Sequence, residues 1–332
     1  MPYSHHSHSG QFCGHALGSL EEVVLEAIKQ RFEVYGLTEH VPRYRLEDLY
    51  PEERALSIGD LSNQFMRFLD EAHRLKEIYA PQITLLVGLE TEYITNDDLN
   101  HLHNLLKDNE RRIDYIVGSV HHVSGIPIDF DRVTYEKALA NFSGEEGVHT
   151  RGNHQMEQFL SAYFDAQHTL IRQFQPEIIG HLDLCRLYNP SLDLKQYPIA
   201  WGKLSRNIEE AIHYGALFEI NSAALKKEGW TSPYPGKDVI ALIQEKNGRF
   251  ALSDDSHGPR TVGQYYLQVV DYLMQSGITE LWYLGHSSKP NHKGRHISPR
   301  RIEGDWRLHA FWTTCREGKR LTDTVEPLFN FK

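Results

Sequence analysis

The sequence predicts an α/β protein whose parallel strands close into a barrel, and three observations favour that fold class. Strand-like segments alternate with helix-like segments along most of the 332 residues, a pattern typical of parallel βαβ units. Seven strand candidates place a polar residue near their C-terminal end, which is where barrel enzymes assemble their sites from many strands. No GxGxxG motif follows the first strand, so an open dinucleotide-binding sheet is disfavoured.

The strand candidates are short, largely apolar segments. In chain order they are PYSHH, FEVYGLTEH, QITLLVGLE, IDYIVGSVHH, PEIIGHLD, ALFEINS and RFALSDDSHG. A further segment, TELWYLG, is predicted as a last strand. Their spacing leaves room for a helix in most of the connections, as parallel strands require.

Apolar periodicity predicts the helices between these strands. They are GSLEEVVLEAIKQ, LSNQFMRFLDEAHRLKEIY, NHQMEQFLSAYFDAQHTLIRQF, GKLSRNIEEAIHYG, PGKDVIALIQEKNG and VGQYYLQVVDYLMQSG. Ser19 and Glu22 form a capping box at the first of them. Pro235 and Gly248 flank PGKDVIALIQEKNG as start and stop signals. Two longer connections, 41–60 and 123–152, have the length of functional or mobile loops.

Composition narrows the class of protein. Hydrophobic residues make up 40% and charged residues 24%, which provides a sizeable core and predicts a folded chain. We interpret residues 1–332 as one domain, because no repeat or low-complexity linker divides them. The three cysteines are odd in number and widely spaced, so a disulfide framework is not expected.

Charge and hydropathy bear on partners and location. The net charge of −10 argues against nucleic acid as a partner, because phosphate backbones need basic clusters. No apolar run reaches the roughly 20 residues of a membrane span, and no signal-peptide pattern is present. We therefore expect a cytoplasmic protein without a membrane partner, acting on a small molecule. The oligomeric state is left open.

Polar residues at the strand ends share one chemistry, because all are imidazoles or carboxylates. An HxH pair on a strand directs two imidazoles to one face, since residues i and i+2 point the same way. The candidate ligands are His6, His8, His15, His40, Glu90, His121, His181, Asp255 and His257. Nine such groups without a thiolate suit zinc, manganese, iron or cobalt and argue against a closed structural zinc site. They exceed the needs of one ion, so two or three ions are predicted.

Each candidate also has an ordinary structural interpretation. A single buried histidine such as His121 or His181 is more often a hydrogen-bonded core residue than a ligand. Glu90 and Asp255 are also plausible as caps of the segments that follow them. The histidines of the opening MPYSHHSHSG resemble a purification tag, although serines interrupt the run. The equivalent position of these residues on successive strands favours the metal site over separate explanations.

The ordered motifs HxH, TEH, GLE, GSVHH, GHLD and SDDSHG resemble the polymerase and histidinol phosphatase (PHP) superfamily. The resemblance extends from Tyr3 to the region of residue 290. The longer strings LTEHVPR, GSVHHVSGIPIDFD and GHLDLCRLYNP are similar to the histidinol-phosphatase branch. This resemblance implies a distorted seven-stranded βα barrel with a trinuclear metal site, for which zinc or a zinc–iron mixture is the expected content.

The resemblance also implies how the ligands divide among the ions. The ligands of one ion are His6, His8, Glu90 and Asp255. Glu90 bridges to a second ion, whose other ligands are His121 and His181. The third ion takes His15, His40 and His257. In many relatives the stretch before the histidine equivalent to His15 is one residue shorter.

A cluster of ions suits hydrolysis of a phosphate ester by a metal-activated water. Glu90, Asp255 and His257 are therefore expected in the catalytic set as well as among the ligands. Asp183, two residues after His181, is predicted to orient a ligand histidine or to protonate the leaving group.

The substrate phosphate carries ~1.5 to 2 negative charges near neutrality, so nearby arginines are expected. Arg43 and Arg260 are the candidates, although a solvated surface arginine is an equal interpretation of each. Glu219 and Asn221 point inward by strand alternation and are candidates for contacting substrate, with Asn221 preferred, although a core hydrogen-bond network is an equal interpretation.

The connection 123–152 is expected to cover the ions and to recognise the amino-alcohol end of the substrate. Its Asp129 and Asp131 are candidates for pairing with a cationic amine.

Three functions are considered, two of them enzymatic and one from a different class. The leading prediction is a phosphatase that converts L-histidinol phosphate to L-histidinol in histidine biosynthesis. The alternative is a PHP-type phosphoesterase acting on another small phosphomonoester or on nucleic acid ends. A metal-binding protein with a decayed site needs gaps in the ligand set, and the sequence has none.

Overall fold

The computed structural model describes residues 2–142, 151–309 and 311–312. Its main sheet contains seven strands. They are β1 (Tyr3–Ser4), β2 (Val34–Leu37), β3 (Thr84–Glu90), β4 (Tyr115–Gly118), β5 (Ile178–Ile179), β6 (Leu217–Asn221) and β7 (Arg249–Ser253). Each strand pairs in parallel with the next in chain order. This order, with a helix in most connections, gives the predicted βα barrel.

The first and last strands meet just beyond their C-terminal ends. Ser7–His8 continues the direction of β1 and pairs in parallel with Ser256–His257. Below this pair, the Ser4 hydroxyl donates to Asp254 Oδ1 at 2.8 Å. The seven strands therefore form a nearly closed barrel, as the sequence predicts, and its seam joins the start of the chain to the last strand.

Eight helices surround the strands in the described residues. They are α1 (Leu20–Lys29), α2 (Ile58–Tyr79), α3 (Asn96–Asp108), α4 (Arg132–Ala140), α5 (Arg151–Phe174), α6 (Pro198–Tyr214), α7 (Lys237–Glu245) and α8 (Tyr266–Gln275). The capping box predicted for α1 is confirmed: Glu22 N donates to the Ser19 hydroxyl oxygen at 3.2 Å, and Ser19 N donates to Glu22 Oε2 at 2.7 Å. α3 and α4 were not predicted from the sequence, because their buried apolar stripes are short.

The core consists of the strands and the inward faces of the helices. Every residue of β2, β4 and β6 is buried, as expected for strands with helices outside and packed side chains inside. At the C-terminal ends of the strands Glu90, His121 and His181 are buried, whereas His40, Asp255 and His257 are partly exposed.

The segment TELWYLG differs from its predicted place in the alternation. Trp282–His286 pairs antiparallel with Ile297–Arg301, in a hairpin outside the main sheet. The hairpin covers the N-terminal end of the barrel: Tyr283 stacks on Tyr3 at 4.2 Å between ring centroids, and Arg295 Nε donates to Glu177 Oε1 at 2.6 Å. The barrel needs no further strand, because β7 already meets the start of the chain.

The two long connections contain more structure than a loop. Residues 41–60 include two 3-10 turns, Leu46–Asp48 and Pro51–Glu53. Residues 123–152 include α4 and part of the small hairpin of His122–Val123 with Ile126–Pro127, while 143–150 lie outside the described residues. Among the described helices, none has the length and apolar character needed to cross a membrane.

Candidate metal centre

Glu90, the last residue of β3, lies at the middle of the site and is buried. Its Oε1 lies 3.0–3.2 Å from the Nε2 atoms of three histidines, His6, His121 and His181. Its Oε2 lies 3.3 Å from His8 Nε2 and 2.9 Å from His40 Nδ1. One carboxylate thus contacts five imidazoles that come from four different strand ends.

Asp255 lies on the other side of the HxH pair, just after β7. Its Oδ1 is 3.7 Å from His6 Nε2, 3.6 Å from His8 Nε2 and 3.6 Å from His257 Nδ1. The backbone of Asp255 is left-handed, with φ 45°, a conformation that aspartate tolerates better than most residues. This local turn places the carboxylate of Asp255 over the site.

Three further carboxylates lie beside the outer nitrogens of the site histidines. His6 Nδ1 donates to Glu219 Oε1 at 2.9 Å, and His121 Nδ1 lies 2.9 Å from Glu92 Oε1. His8 Nδ1 lies 3.5 Å from Glu39 Oε2. In each case Nε2 faces Glu90 or Asp255. Carboxylates beside metal-binding histidines commonly fix the tautomer and the ring orientation in this way.

Glu39 and Glu92 are absent from the sequence prediction. Glu92 carries a usable signal, because it follows Glu90 by two residues and strand alternation directs both to one face. Glu39 lies next to His40 in TEH, and alternation there indicates the opposite face. Its contact with His8 depends on β1 lying beside β2, which the local sequence does not encode.

The buried carboxylates of the centre favour positive charge beside them. Burial lowers the pKa of His6, but Glu90, Asp255 and Glu219 raise it well above its usual value. Burial likewise raises the pKa of Glu90, but His6, His40 and the other imidazoles hold it well below its usual range. Positive charge close to Glu90 is therefore favourable, whether protons or metal ions supply it.

Several donor atoms in the centre are buried without a hydrogen bond. Within the described residues these include His6 Nε2 and both ring nitrogens of His8 and His40. Buried polar atoms rarely lack partners, and a metal site is one explanation when they do. The donor set of imidazole and carboxylate suits zinc, iron, cobalt or manganese. The residues therefore fit the ions predicted from the sequence.

His15 lies in a second group of donors beside the first. One donor atom each from Cys13, His15, His40 and His257 lies within 4.8 Å of the other three. Cys13 Sγ is 3.2 Å from His15 Nε2, while His15 Nδ1 is 3.0 Å from Glu52 Oε1. Burial raises the pKa of the Cys13 thiol, but His15 and His40 lower it, to about 6. Cys13 is not among the ligands predicted from the sequence, but its thiol lies beside one of them, His15.

Asp183 and Asn221, two further predicted residues, make different contacts. Asp183 is buried, and its Oδ2 accepts from Arg186 Nε and from Gly236 N, each at 2.8 Å. Its carboxylate therefore holds the loops after β5 and β6 together. Asn221 Nδ2 donates to Glu219 Oε2 and to Asp255 Oδ2, each at 3.1 Å, so its amide links two carboxylates of the centre.

The two candidate arginines have opposite environments. Arg43 is buried, its guanidinium pairs with both oxygens of Glu53, and it lies over the ring of Tyr50. Arg260 is exposed and follows His257 by three residues. Within the described residues its charge has no ion-pair partner.

Asp129 and Asp131 also differ in their environments. Asp131 caps α4, and its Oδ1 accepts from Thr134 N at 2.6 Å. Asp129 is half-buried, and its charge is among those that raise the pKa values of the buried phenols Tyr163 and Tyr234, after burial itself. The ring of Tyr234 lies 6.3 Å from that of His181. Asp129 is thus on the side of the connection that faces the site.

Known proteins resemble this chain along most of its length. Residues 4–223 match the PHP domain family. A probable histidinol-phosphatase of Schizosaccharomyces pombe is 44% identical over 285 residues, covering 85% of this chain and 89% of that protein. The histidinol-phosphatase of Saccharomyces cerevisiae is 33% identical over 322 residues, covering 87% of this chain and 93% of its own length.

Solved structures show the same fold at lower identity. A putative histidinol phosphatase of Listeria monocytogenes superposes with a TM-score of 0.65 at 22% identity, covering 80% of this chain and 98% of its own. The histidinol phosphate phosphatase of Lactococcus lactis was solved with zinc, L-histidinol and phosphate. It superposes with a TM-score of 0.61 at 17% identity, covering 90% of this chain and 98% of its own. With the barrel, the ligand cluster and the full-length relatives in agreement, the chain belongs to the PHP domain family, among its histidinol-phosphatases.

Proposed function

We propose that this protein is a metal-dependent phosphomonoesterase that hydrolyses L-histidinol phosphate to L-histidinol and phosphate. The observation that carries the proposal is the contact of one buried carboxylate, Glu90, with five imidazoles at the C-terminal end of the barrel. The two histidinol-phosphatases that align over most of their length supply the substrate.

The contacts support a division of the donors among the ions. His6, His8, Glu90 and Asp255 form the first ligand set, since His6 and His8 each face both carboxylates. Glu90 extends to a second set with His121 and His181, whose Nε2 atoms lie 3.3 Å apart. The third set includes His15, His40 and His257. Zinc suits all three, and the proposal allows two or three ions.

These three ligand sets would hold the ions, whose chemistry would be to neutralise the charge of the phosphate and to activate a water for attack. The protein contributes orientation: Glu219 hydrogen-bonds the outer nitrogen of His6, and Glu92 and Glu39 lie beside those of His121 and His8. Asn221 then fixes Glu219 relative to Asp255. We assign Asn221 this positioning role, and we assign contact with the phosphate to Arg260, whose charge is available.

A phosphate-release assay tests the proposal. Protein stripped by a chelator and reloaded with zinc, manganese, iron or cobalt is offered L-histidinol phosphate, other small phosphomonoesters and phosphorylated oligonucleotide ends. We expect turnover only after metal addition, with kcat/KM highest for L-histidinol phosphate by about a hundredfold or more, a difference of about 3 kcal/mol. Glu110→Gln, at an exposed carboxylate, is the control for handling and reloading.

Equal turnover of unrelated phosphomonoesters would overturn the proposed substrate and leave the metal chemistry intact. Preference for oligonucleotide ends would favour the alternative phosphoesterase activity. Full activity after complete metal removal would overturn the mechanism itself.

A further inference from the structure

Cys13 is buried among histidines without belonging to the proposed ligand sets. It is 6% exposed, whereas the side chain of His15 is 37% exposed. Cys13 is therefore the more enclosed of the two residues that this segment brings to the centre. A buried cysteine in an apolar core is an inert small hydrophobe, but Cys13 faces polar ring nitrogens.

A single turn of backbone places Cys13 there. Cys13 N donates to Ser9 O at 2.9 Å, and Leu17 N donates to His257 O at 3.1 Å, so the segment is fixed to the centre at both ends. Gly10 permits the close return, because a Cβ at this position would lie 2.7 Å from Leu17 Cα. The turn aims Sγ inward and leaves His15 two residues further on.

Two of the histidines around Cys13 have a partner at Nδ1 that orients the ring. His15 Nδ1 is held by Glu52, and His257 Nδ1 lies 3.0 Å from the carbonyl oxygen of Asp255. A ring held at Nδ1 presents Nε2, and His15 Nε2 is the atom that lies 3.2 Å from Cys13 Sγ. In the described residues His40 Nε2 has no hydrogen bond.

The four donors lie close enough together to converge on one ion. Each of Cys13, His15, His40 and His257 offers an atom within 4.8 Å of the others. Zinc–nitrogen and zinc–sulfur bonds of about 2.0 and 2.3 Å in a tetrahedron separate the ligand atoms by about 3.3–3.8 Å. A thiol–imidazole hydrogen bond explains one of these contacts, whereas a metal ion explains the convergence of all four.

We propose that Cys13 is the fourth protein ligand of the third metal ion, which is held in an S,N3 sphere by Cys13, His15, His40 and His257. The inference rests on the metal centre of the proposed function and adds a thiolate to it. A thiolate favours zinc or cobalt over manganese or magnesium at this position. Four protein ligands also leave this ion fewer open positions than the second ion, whose protein ligands are Glu90, His121 and His181.

Cobalt substitution tests the ligand directly. Stripped protein is loaded with Co²⁺, and its visible and near-ultraviolet absorption is recorded together with the cobalt content. We expect an intense sulfur-to-cobalt charge-transfer band in the wild type. Cys13→Ser should lose the band and weaken binding of one cobalt equivalent by about tenfold or more. Cys185→Ser changes a buried free cysteine at another place and should retain both.

A second measurement uses the wild-type protein and so needs no variant. Iodoacetamide labelling of Cys13, followed by mass spectrometry, should be slow in the zinc-loaded protein and fast once a chelator is added.

Cobalt bound in full without a charge-transfer band, or a band unchanged in Cys13→Ser, would refute the thiolate ligand while the metal centre stands. Labelling of Cys13 at equal rates with and without zinc would refute it too. Failure to bind any cobalt would overturn this inference and the proposed metal centre together.

Discussion

Glu90 determines the arrangement of the centre because its two oxygens contact histidines from four strand ends. Removing its charge leaves those imidazoles without their common counterion and would leave the proposed metal ions without a bridging ligand.

We therefore expect Glu90→Gln to lower kcat/KM for L-histidinol phosphate by about a thousandfold or more, equivalent to about 4 kcal/mol of transition-state stabilisation. Glutamine has the same size, so the barrel should remain folded by circular dichroism. Metal analysis should show the loss of at least one equivalent. Near-normal turnover with a full metal load would contradict the bridging role.

Arg43 and Arg260 are a matched pair for separating stability from substrate binding. Arg43→Gln leaves Glu53 buried and unpaired, so we expect a loss of about 3 kcal/mol in the free energy of unfolding with KM little changed. Arg260→Gln should raise KM about tenfold, the value of one charged hydrogen bond, with unfolding unchanged. Urea denaturation and steady-state kinetics on both variants distinguish the roles. The reverse pattern would exchange the two assignments.

For single residues, the sequence predicts which side chains lie at the site better than it predicts their individual contacts. The nine candidate ligands could be selected from the sequence because strand alternation and the alternating βα pattern are both readable there. Glu39 and Cys13 are not readable in this way, since their contacts depend on which strands are neighbours and on one tight turn. Whether a charge is free, as at Arg260, or already paired, as at Arg43, is likewise a tertiary property.

At the scale of elements, β2 and β4 meet inside the barrel at a glycine. Gly36 has no side chain where Tyr115 enters: a Cβ there would lie 1.9 Å from the Tyr115 hydroxyl oxygen. That hydroxyl donates to His5 O at 2.7 Å. The glycine is therefore required by the close approach of three strands, β1 included.

We expect Gly36→Ala to lower the free energy of unfolding by about 2–3 kcal/mol, since an added methyl in a packed core forces its neighbours to move. Tyr115→Phe removes the clashing oxygen, so the double variant should be more stable than additivity of the two single variants predicts. Thermal or urea unfolding of all four proteins gives the coupling energy. Strict additivity would mean that the tyrosine moves aside without cost.

The elements themselves were predicted unevenly, for physical reasons. The long amphipathic helices and the apolar strands have strong periodicity and were found. α3 and α4 have short apolar stripes, because each buries few large side chains. Trp282–His286 has the composition of a barrel strand, but it pairs with a segment downstream of it. Pairing partners of this kind are set by the whole fold.

At the scale of the whole molecule, His5 connects three parts of the chain. His5 Nδ1 lies 3.4 Å from Leu252 O on β7, and Leu284 N of the hairpin donates to His5 Nε2 at 3.0 Å. This second bond requires an unprotonated Nε2. Burial is the main cause that lowers the pKa of His5, to about 4.

This pKa predicts a loss of stability in acid. Unfolded His5 titrates near its ordinary value, about 6.5, so between pH 6.5 and pH 4 the unfolded chain binds a proton that the folded protein does not. Stability is therefore retained above pH 6.5 and falls as the pH drops toward 4. We expect His5 to account for on the order of 2 kcal/mol of the loss between pH 7 and pH 5.

Urea unfolding at several pH values, with His5→Asn as the comparison, measures this contribution. The variant should be less stable at pH 7 but should lose less stability on acidification than the wild type. Parallel curves would assign the acid sensitivity to other groups.

The seam between Ser7–His8 and Ser256–His257 has a consequence for how the protein is made. During synthesis His6 and His8 emerge before their seam partners, which follow only with the seventh strand. Residues as far apart as Ser4 and Asp254, 250 positions along the chain, must both be available before the seam forms. An interrupted translation product that ends before β7 lacks Asp255 and His257, so the first and third of the proposed ligand sets are incomplete in it. Only a chain whose synthesis has passed the last strand contains all the proposed ligands.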